Sequence, residues 1–192
     1  EARIAEMGLK RQLENKTVLE IGCNTGFLAI SIADRAKSVL GFDINPHLID
    51  IARDAANYAG INNARFIASS FEDFSSPEPF DSVLSFASHA TYDGNTGYSI
   101  DQYLRRCYEL VKPGGLLLFE SHSWEQPSSD DLQQVCFAMD RFFTVRQRQV
   151  LQRGRPADQC RTFIVGQRRT IPMGVRAVHE DSHSNTLVLS SI

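Results

Sequence analysis

"TVLEIGCNTGFLAI", residues 17–30, decides the fold. Its first five residues form an apolar run rich in strand-forming side chains. Gly22 and Gly26 then bracket a turn, and Phe27, Ile30 and Ala33/Asp34 follow at helical spacing. A buried strand that passes through a glycine turn into a helix opens a βαβ unit. The N–H groups at the start of such a helix are left to meet an anionic ligand. The usual dinucleotide fingerprint, G-x-G-x-x-G, is broken twice, with Asn24 at its middle glycine and Phe27 at its last.

Outward from this stretch, strand and helix patterns alternate. "SVLGFD" (38–43) is a second strand. Asn45 is a suitable N-cap before Pro46, and the helix they open carries Leu48, Ile51, Ala52 and Ala55 as its expected apolar face and stops at Gly60. "ARFIAS" (64–69) and "DSVLSFA" (81–87) are further strands. A helix from about Ser99 to Val111 is expected to end at Pro113-Gly114-Gly115. "LLLFE" (116–120) is apolar on both faces, as a central parallel strand must be. After a helix over 130–139, "RFFTVRQRQVLQ" (141–152) and "CRTFIVGQRR" (160–169) alternate as an antiparallel pair. The expected fold is α/β, a doubly wound, mostly parallel seven-stranded sheet with a C-terminal antiparallel hairpin. One domain spans residues 1–170, and residues 171–192 form a tail or extension.

A chain of 192 residues suits one domain with a proper core. Its net charge of −3 gives no global attraction for nucleic acid or an anionic membrane. Cys23, Cys107, Cys136 and Cys160 have neither disulfide-framework nor zinc-site spacing, which points to reduced thiols in a cytoplasmic protein. No apolar run approaches the roughly 20 residues of a membrane span. "EARIAEMGLK" has no signal-peptide pattern, and the lack of an initiating Met predicts sequence upstream.

In an open α/β sheet the ligand sits at the carboxyl ends of the strands, where the strand order reverses. Asp43 ends the second strand 17 residues past Gly26, where a carboxylate can accept hydrogen bonds from two ribose hydroxyls. A ligand without a pyrophosphate removes the need for the middle glycine, and Asn is the side chain that best tolerates a left-handed backbone. The Asn24 amide can also donate to a carboxylate.

Here the chain resembles the class I S-adenosylmethionine-dependent methyltransferases. The first motif of that family is an acid followed by glycines spaced as in Glu20-Ile21-Gly22-Cys23-Asn24-Thr25-Gly26. "FDSVLSF" is similar to its fourth motif and "LVKPGGLLLFE" to its fifth-strand signature, so the resemblance runs over about residues 15–122. It implies that Glu20 handles the methionine amino group and that the backbone of Gly22, Cys23, Asn24 and Gly26, with Phe27, lines the methionyl part. Asp43 then holds the ribose and Ile44 faces the adenine. Ser69, Ser70 and Phe71 form the adenine segment, with Ser69 where the family usually has Asp, and Ser85 belongs to the fourth motif. The implied cofactor is S-adenosylmethionine, with S-adenosylhomocysteine as product, and the expected acceptor is an oxygen or nitrogen of a small molecule.

Methyl transfer requires alignment in a dry site and sometimes a base. His89, just past the fourth strand, is the first candidate base, and His122 the second. Histidines packed against neighbours are the plain alternative. Tyr92, Asp93 and Asn95 are turn formers that can also bond an acceptor. No Asn/Asp-Pro-Pro-aromatic stretch and no Pro-Cys nucleophile follow strand four, which argues against adenine-amino, glutamine-amino and pyrimidine C5 chemistry. "HEDSH" (179–183) matches a zinc-protease pattern but has no helical flank or third ligand, so no metal is expected. Residues Arg141 to Arg169 hold eight arginines against one acid, a +7 stretch that leaves −10 elsewhere. It reads as outward charge protecting an edge strand, with an RNA-modifying methyltransferase as the alternative. A non-catalytic S-adenosylmethionine-binding module and a nicotinamide enzyme stay open as further alternatives.

Overall fold

Strand β1 (Thr17–Ile21) is buried on both faces, and the whole architecture follows from that. The structure, a computed structural model, describes residues 2–89, 97–121, 130–152 and 160–170, and for Asp130, Asp131, Gln152 and Cys160 the backbone alone. The other strands are β2 (Ser38–Asp43), β3 (Ala64–Ala68), β4 (Phe80–Phe86), β5 (Val111–Glu120), β6 (Phe143–Gln152) and β7 (Cys160–Arg168). They form one seven-stranded sheet in the order β3-β2-β1-β4-β5-β7-β6. The first five strands pair in parallel, and β7 runs antiparallel to both β5 and β6. The doubly wound sheet and closing hairpin expected from the sequence are therefore present. The order reverses at β1, between β2 and β4, so a crevice opens at the carboxyl ends of these strands.

Alternate residues of the central strands feed two cores. Leu19, Val83, Leu117 and Phe119 pack with helices α5 (Ile100–Leu110) and α6 (Asp130–Phe142). Val18, Val39, Leu84 and Leu118 pack with α3 (Phe27–Ile32) and α4 (Pro46–Tyr58). The second core also takes Met7, Leu9 and Leu13, from and beside the short helices α1 (Ala2–Glu6) and α2 (Leu9–Gln12). Helices of five and four residues carry too little periodicity to be read from sequence.

The punctuation of the two longest N-terminal crossovers behaves as its chemistry demands. Asn45 Oδ1 accepts the His47 N–H (3.0 Å) with Pro46 at the first helical position, and Ser99 with Gln102 forms a complete capping box. Two details differ. The buried face of α4 is Ile49, Ala52 and Ala56, whereas Ile51 is half exposed. The alanines allow close approach to the sheet, and Arg53 fixes the rotation by donating Nε and Nη2 to the Phe66 carbonyl (3.2 and 3.0 Å). Residues 113–115 lie inside β5 instead of ending α5. A Cβ on Gly115 would stand 2.7 Å from the Asp81 carbonyl, so that glycine lets β5 close on β4.

At the opposite end of the sheet, Asp81 ties three strands. Its Oδ2 accepts the Thr17 N–H (2.8 Å) and Oγ–H (2.7 Å), and its Oδ1 accepts from Lys112 Nζ (3.0 Å). Burial pushes the carboxyl up, but the Thr17 hydrogen bonds and the Lys112 ammonium outweigh it and hold the pKa at about 2. A depressed carboxylate contributes stability that is present above its unfolded pKa of 3.8 and lost as pH falls through 2. Asp81→Ala should lower the unfolding free energy by about 2 kcal/mol at neutral pH. Urea melts should show the gap to wild type shrinking between pH 3.8 and 2.

Candidate active site

A cleft of about 390 Å³ occupies the switch point. Of the residues assigned to a cofactor from sequence, Gly22, Asn24, Asp43, Ile44, Ser69 and Phe71 line it. The turn after β1 has three left-handed residues, Gly22 (φ 66°), Asn24 (φ 51°) and Gly26 (φ 75°). Asn24 therefore takes the conformation that its side chain tolerates best among non-glycines. Its Oδ1 accepts the Thr25 N–H (2.7 Å), which locks the turn from within. A Cβ on Gly26 would come within 2.8 Å of the Phe66 ring and 2.9 Å of Ala52. Close packing, the task of the last glycine in a dinucleotide fingerprint, has moved one position earlier, and this releases position 27.

Asp43 is the polar centre of the cleft. One carboxylate oxygen accepts the Asn24 N–H (2.9 Å) and the other the Asn45 N–H (3.0 Å). Each oxygen keeps a second lone pair, so two more donors can be accepted. Ser69 Oγ donates to the Ser70 carbonyl (3.0 Å) and likewise retains accepting capacity.

Glu20 lies beneath the turn, 6% exposed, and its Oε2 has no hydrogen-bond partner. Burial raises its pKa to about 8, helped by the nearby Asp43 charge and opposed by the Ala29 N–H and by Arg3. A buried carboxyl with an idle oxygen beside an open turn fits a cationic group brought against it.

Four other assignments lie off the cleft. Cys23 is buried against Gly41, where a Cβ would approach its Cβ to 2.8 Å. Phe27 is 73% exposed and borders a separate hollow with Ile4 and Met7 of the N-terminal segment. Ser70 exchanges hydrogen bonds with Asp73. Ser85 is fully buried behind the wall. In each case strand or turn geometry aims the side chain away from the cleft.

The opposite wall is Phe86, Ala87 and Ser88, none of them named from the sequence as a site residue. Ala87 is left-handed at φ 55°, a conformation that costs an L-residue about 1–2 kcal/mol. Its N–H donates to the Glu120 carbonyl (2.9 Å). Alanine carries no turn signal, so nothing in the sequence marks the bend. Glu120 was also read only as a strand end. It is fully buried and pairs with Arg3 of α1 and, at 3.6 Å, with Arg161 of β7, which ties the N-terminal segment to the carboxyl end of β5.

His89 follows Ser88 and packs its ring 4.8 Å from Phe119 and 6.2 Å from Tyr103. His122, residues 90–96 and the tail with "HEDSH" lie outside the described residues. Among the described residues no group of three or more His, Cys, Asp or Glu is placed to hold a metal ion, and no helix is long and apolar enough to cross a membrane. Of the described arginines of the arginine-rich stretch, Arg146 and Arg148 lie on the edge strand β6, and Arg161 and Arg168 on its neighbour β7. Several arginines of the stretch serve protein acceptors: Arg141 pairs with Asp101, Arg146 donates to Gln167, Arg168 to the Val111 carbonyl and Arg169 to the Asp140 carbonyl.

A family model described as a methyltransferase domain matches residues 12–162. A putative protein N5-glutamine methyltransferase of Methanocaldococcus jannaschii is 29% identical over 147 residues, 67% of this chain and 74% of that protein. A ubiquinone biosynthesis O-methyltransferase of Serratia proteamaculans is 32% identical over 111 residues, 56% of this chain. The match spans only 43% of that relative. The crystal structure of the N-methyltransferase NodS from Bradyrhizobium japonicum, in complex with S-adenosyl-L-homocysteine, superposes with a TM-score of 0.67 at 18% identity. It covers 85% of this chain and 86% of that one.

The raised pKa of Glu20 has a measurable consequence. The folded state holds the proton that the unfolded chain releases, so this contribution to stability is full below pH 4.5 and is lost as pH rises through about 8. Glu20→Gln, which does not titrate, should gain on the wild type across that window in thermal melts. Parallel curves from pH 5 to 9 would show that Glu20 is ionised in the fold.

Proposed function

The chain belongs to the class I S-adenosylmethionine-dependent methyltransferases, the family of its matched methyltransferase domain, and on that premise we propose that it methylates an oxygen or nitrogen of a small-molecule acceptor. The observation that carries the cofactor reading is the Asp43 carboxylate at the switch point, with a free lone pair on each oxygen. It suits a vicinal diol, and the turn beside it is open where a methionyl chain, not a pyrophosphate, must pass. Ile44, Leu48 and Phe71 supply an apolar wall for the adenine, and Ser69 Oγ accepts from its amino group in place of the usual acid. Glu20 holds the cofactor's ammonium: a cation against Oε2 opposes the burial that keeps the carboxyl protonated, so binding releases a proton.

The bound cofactor supplies an electrophilic methyl group on a sulfur that leaves readily. What remains for this chain is alignment, exclusion of water and, for a hydroxyl or ammonium acceptor, removal of a proton. We assign proton removal to His89, whose place just past β4 borders the Ala87–Ser88 wall, with His122 as the second candidate. The small-molecule reading is favoured over RNA because so many arginines of the basic stretch are committed to protein acceptors. The acceptor named for the first relative is not carried over, because Phe86-Ala87-Ser88-His89 stands where an Asn/Asp-Pro-Pro-aromatic stretch would be needed.

S-adenosylmethionine and S-adenosylhomocysteine should raise the melting temperature, with a gain that grows as the logarithm of ligand concentration above Kd, while NAD does not. No shift with either adenosyl compound sinks the cofactor reading. Asp43→Ala should weaken S-adenosylhomocysteine binding at least about tenfold by calorimetry. With any acceptor that drives S-adenosylhomocysteine release, His89→Ala should cut turnover by about 10²-fold at unchanged cofactor affinity. Equal turnover removes His89 as the base, and no release with any acceptor class favours a non-catalytic binding module.

A further inference from the structure

Ser88 faces Gly22 across the cleft, and three hydroxyls meet behind it. Ser85 Oγ and Tyr103 Oη are hydrogen-bonded at 2.8 Å, Ser85 Oγ and Ser88 Oγ at 3.2 Å, and Ser88 Oγ and Tyr103 Oη at 3.3 Å. Tyr103 reaches this point from α5, and both it and Ser85 are buried to within 1%. Only Ser88 lines the cleft. Burial, the largest influence on the Tyr103 phenol, pushes it far above its ordinary pKa, so it stays protonated and available to donate.

The ring of hydroxyls sits beside the strained residue. A Cβ on Gly22 would approach Ser88 Cβ to 3.2 Å, so the Ser88 wall stands directly beside the glycine turn, and both line the cleft. Two ties hold the stretch between β4 and the cleft. Ala87 N–H reaches the Glu120 carbonyl, and Ser88 Oγ reaches Tyr103 and Ser85. The first tie positions the backbone, and the second sets the direction of the Ser88 hydroxyl. A left-handed alanine persists where the surroundings over-determine it, and such residues cluster at ligand sites.

Resting on the reading of this cleft as the S-adenosylmethionine site, we propose that Tyr103 is a positioning residue for the cofactor. Through Ser85 and Ser88 it holds the turn at Ala87 so that the Ser88 hydroxyl meets the cofactor's charged amino-acid end beside Gly22. The amino-acid end is chosen because Ser88 opposes the glycine turn, whereas Asp43 marks the ribose. A hydroxyl both donates and accepts, so it serves either the carboxylate or the ammonium. Without the Tyr103 hydroxyl, Ser88 Oγ keeps Ser85 alone of these two hydroxyl partners and rotates more freely.

The test compares two ligands on the full chain. S-adenosylhomocysteine has the amino-acid end, and 5′-methylthioadenosine keeps the adenosine and sulfur but lacks it. Ser88→Ala and Tyr103→Phe should each weaken S-adenosylhomocysteine about tenfold in calorimetric titrations. Methylthioadenosine should bind both variants within about twofold of wild type, a change too small to reflect a lost hydrogen bond. Tyr103→Phe retains the ring that stacks on Phe71 at 4.5 Å, so its melt should stay cooperative, and Ser88→Ala carries the test independently of that substitution. Unchanged S-adenosylhomocysteine affinity in either variant overturns the proposal, as does an equal loss of both ligands, which marks general distortion. Failure of the wild type to bind either ligand overturns the cofactor reading itself, and this inference with it.

Discussion

The Asp43 carboxylate divides its two oxygens between the N–H groups of Asn24 and Asn45, and the site depends on that division. One bond holds the turn leaving β1, and the other holds the entry to α4. The two loops that flank the switch point are thereby fixed to the end of β2. Asn45 in turn caps α4 through its side chain, and Asn24 closes its own turn on Thr25. Charge-assisted hydrogen bonds of this kind are stronger than neutral ones, and these leave the carboxylate with accepting capacity directed at a ligand. One side chain thus ties both loops and still offers free lone pairs to the cleft.

Around that centre the packing is governed by close approach. Gly26 admits the Phe66 ring and Ala52, Gly41 admits Cys23, and Gly22 faces Ser88 at a distance that leaves no room for a side chain. These contacts draw α3 and α4 down onto the sheet beside the glycine turn. The far wall of the cleft carries strain at Ala87, offset by a hydrogen bond to the Glu120 carbonyl and by the hydroxyl ring behind Ser88. The Glu120 side chain meanwhile anchors the N-terminal segment through Arg3. One residue at the end of β5 thus serves the cleft through its backbone and the N-terminal segment through its carboxylate.

Electrostatics separates the two ends of the sheet. Asp81, held low by Thr17 and Lys112, stabilises strands where no ligand is expected. Glu20, pushed high by burial under the glycine turn, is the opposite case, a group whose charged form the fold disfavours until something positive approaches. Among the described arginines at the sheet edge, Arg146 donates to Gln167, Arg168 to the Val111 carbonyl and Arg169 to the Asp140 carbonyl, so each also serves as a local tie.

By itself the sequence determined the seven strands, the helices that follow β1 and their order, because strand and helix periodicities and the Asn45-Pro46 start are local properties of the chain. It also placed the cleft, since Gly22, Asn24 and Asp43 sit at strand ends whose geometry the βαβ unit dictates. Only the tertiary structure decided which side chains face the ligand. The direction of Cys23, Phe27, Ser70 and Ser85 depends on neighbours brought from other elements, and so does the rotation of α4 that turns Ile51 outward. The Ala87–Ser88 wall and the Arg3–Glu120–Arg161 cluster join residues far apart in the chain, and alanine, arginine and glutamate carry no local signal for such a meeting. A turn can be written in adjacent residues, but a wall between distant strands is fixed only when the sheet has assembled.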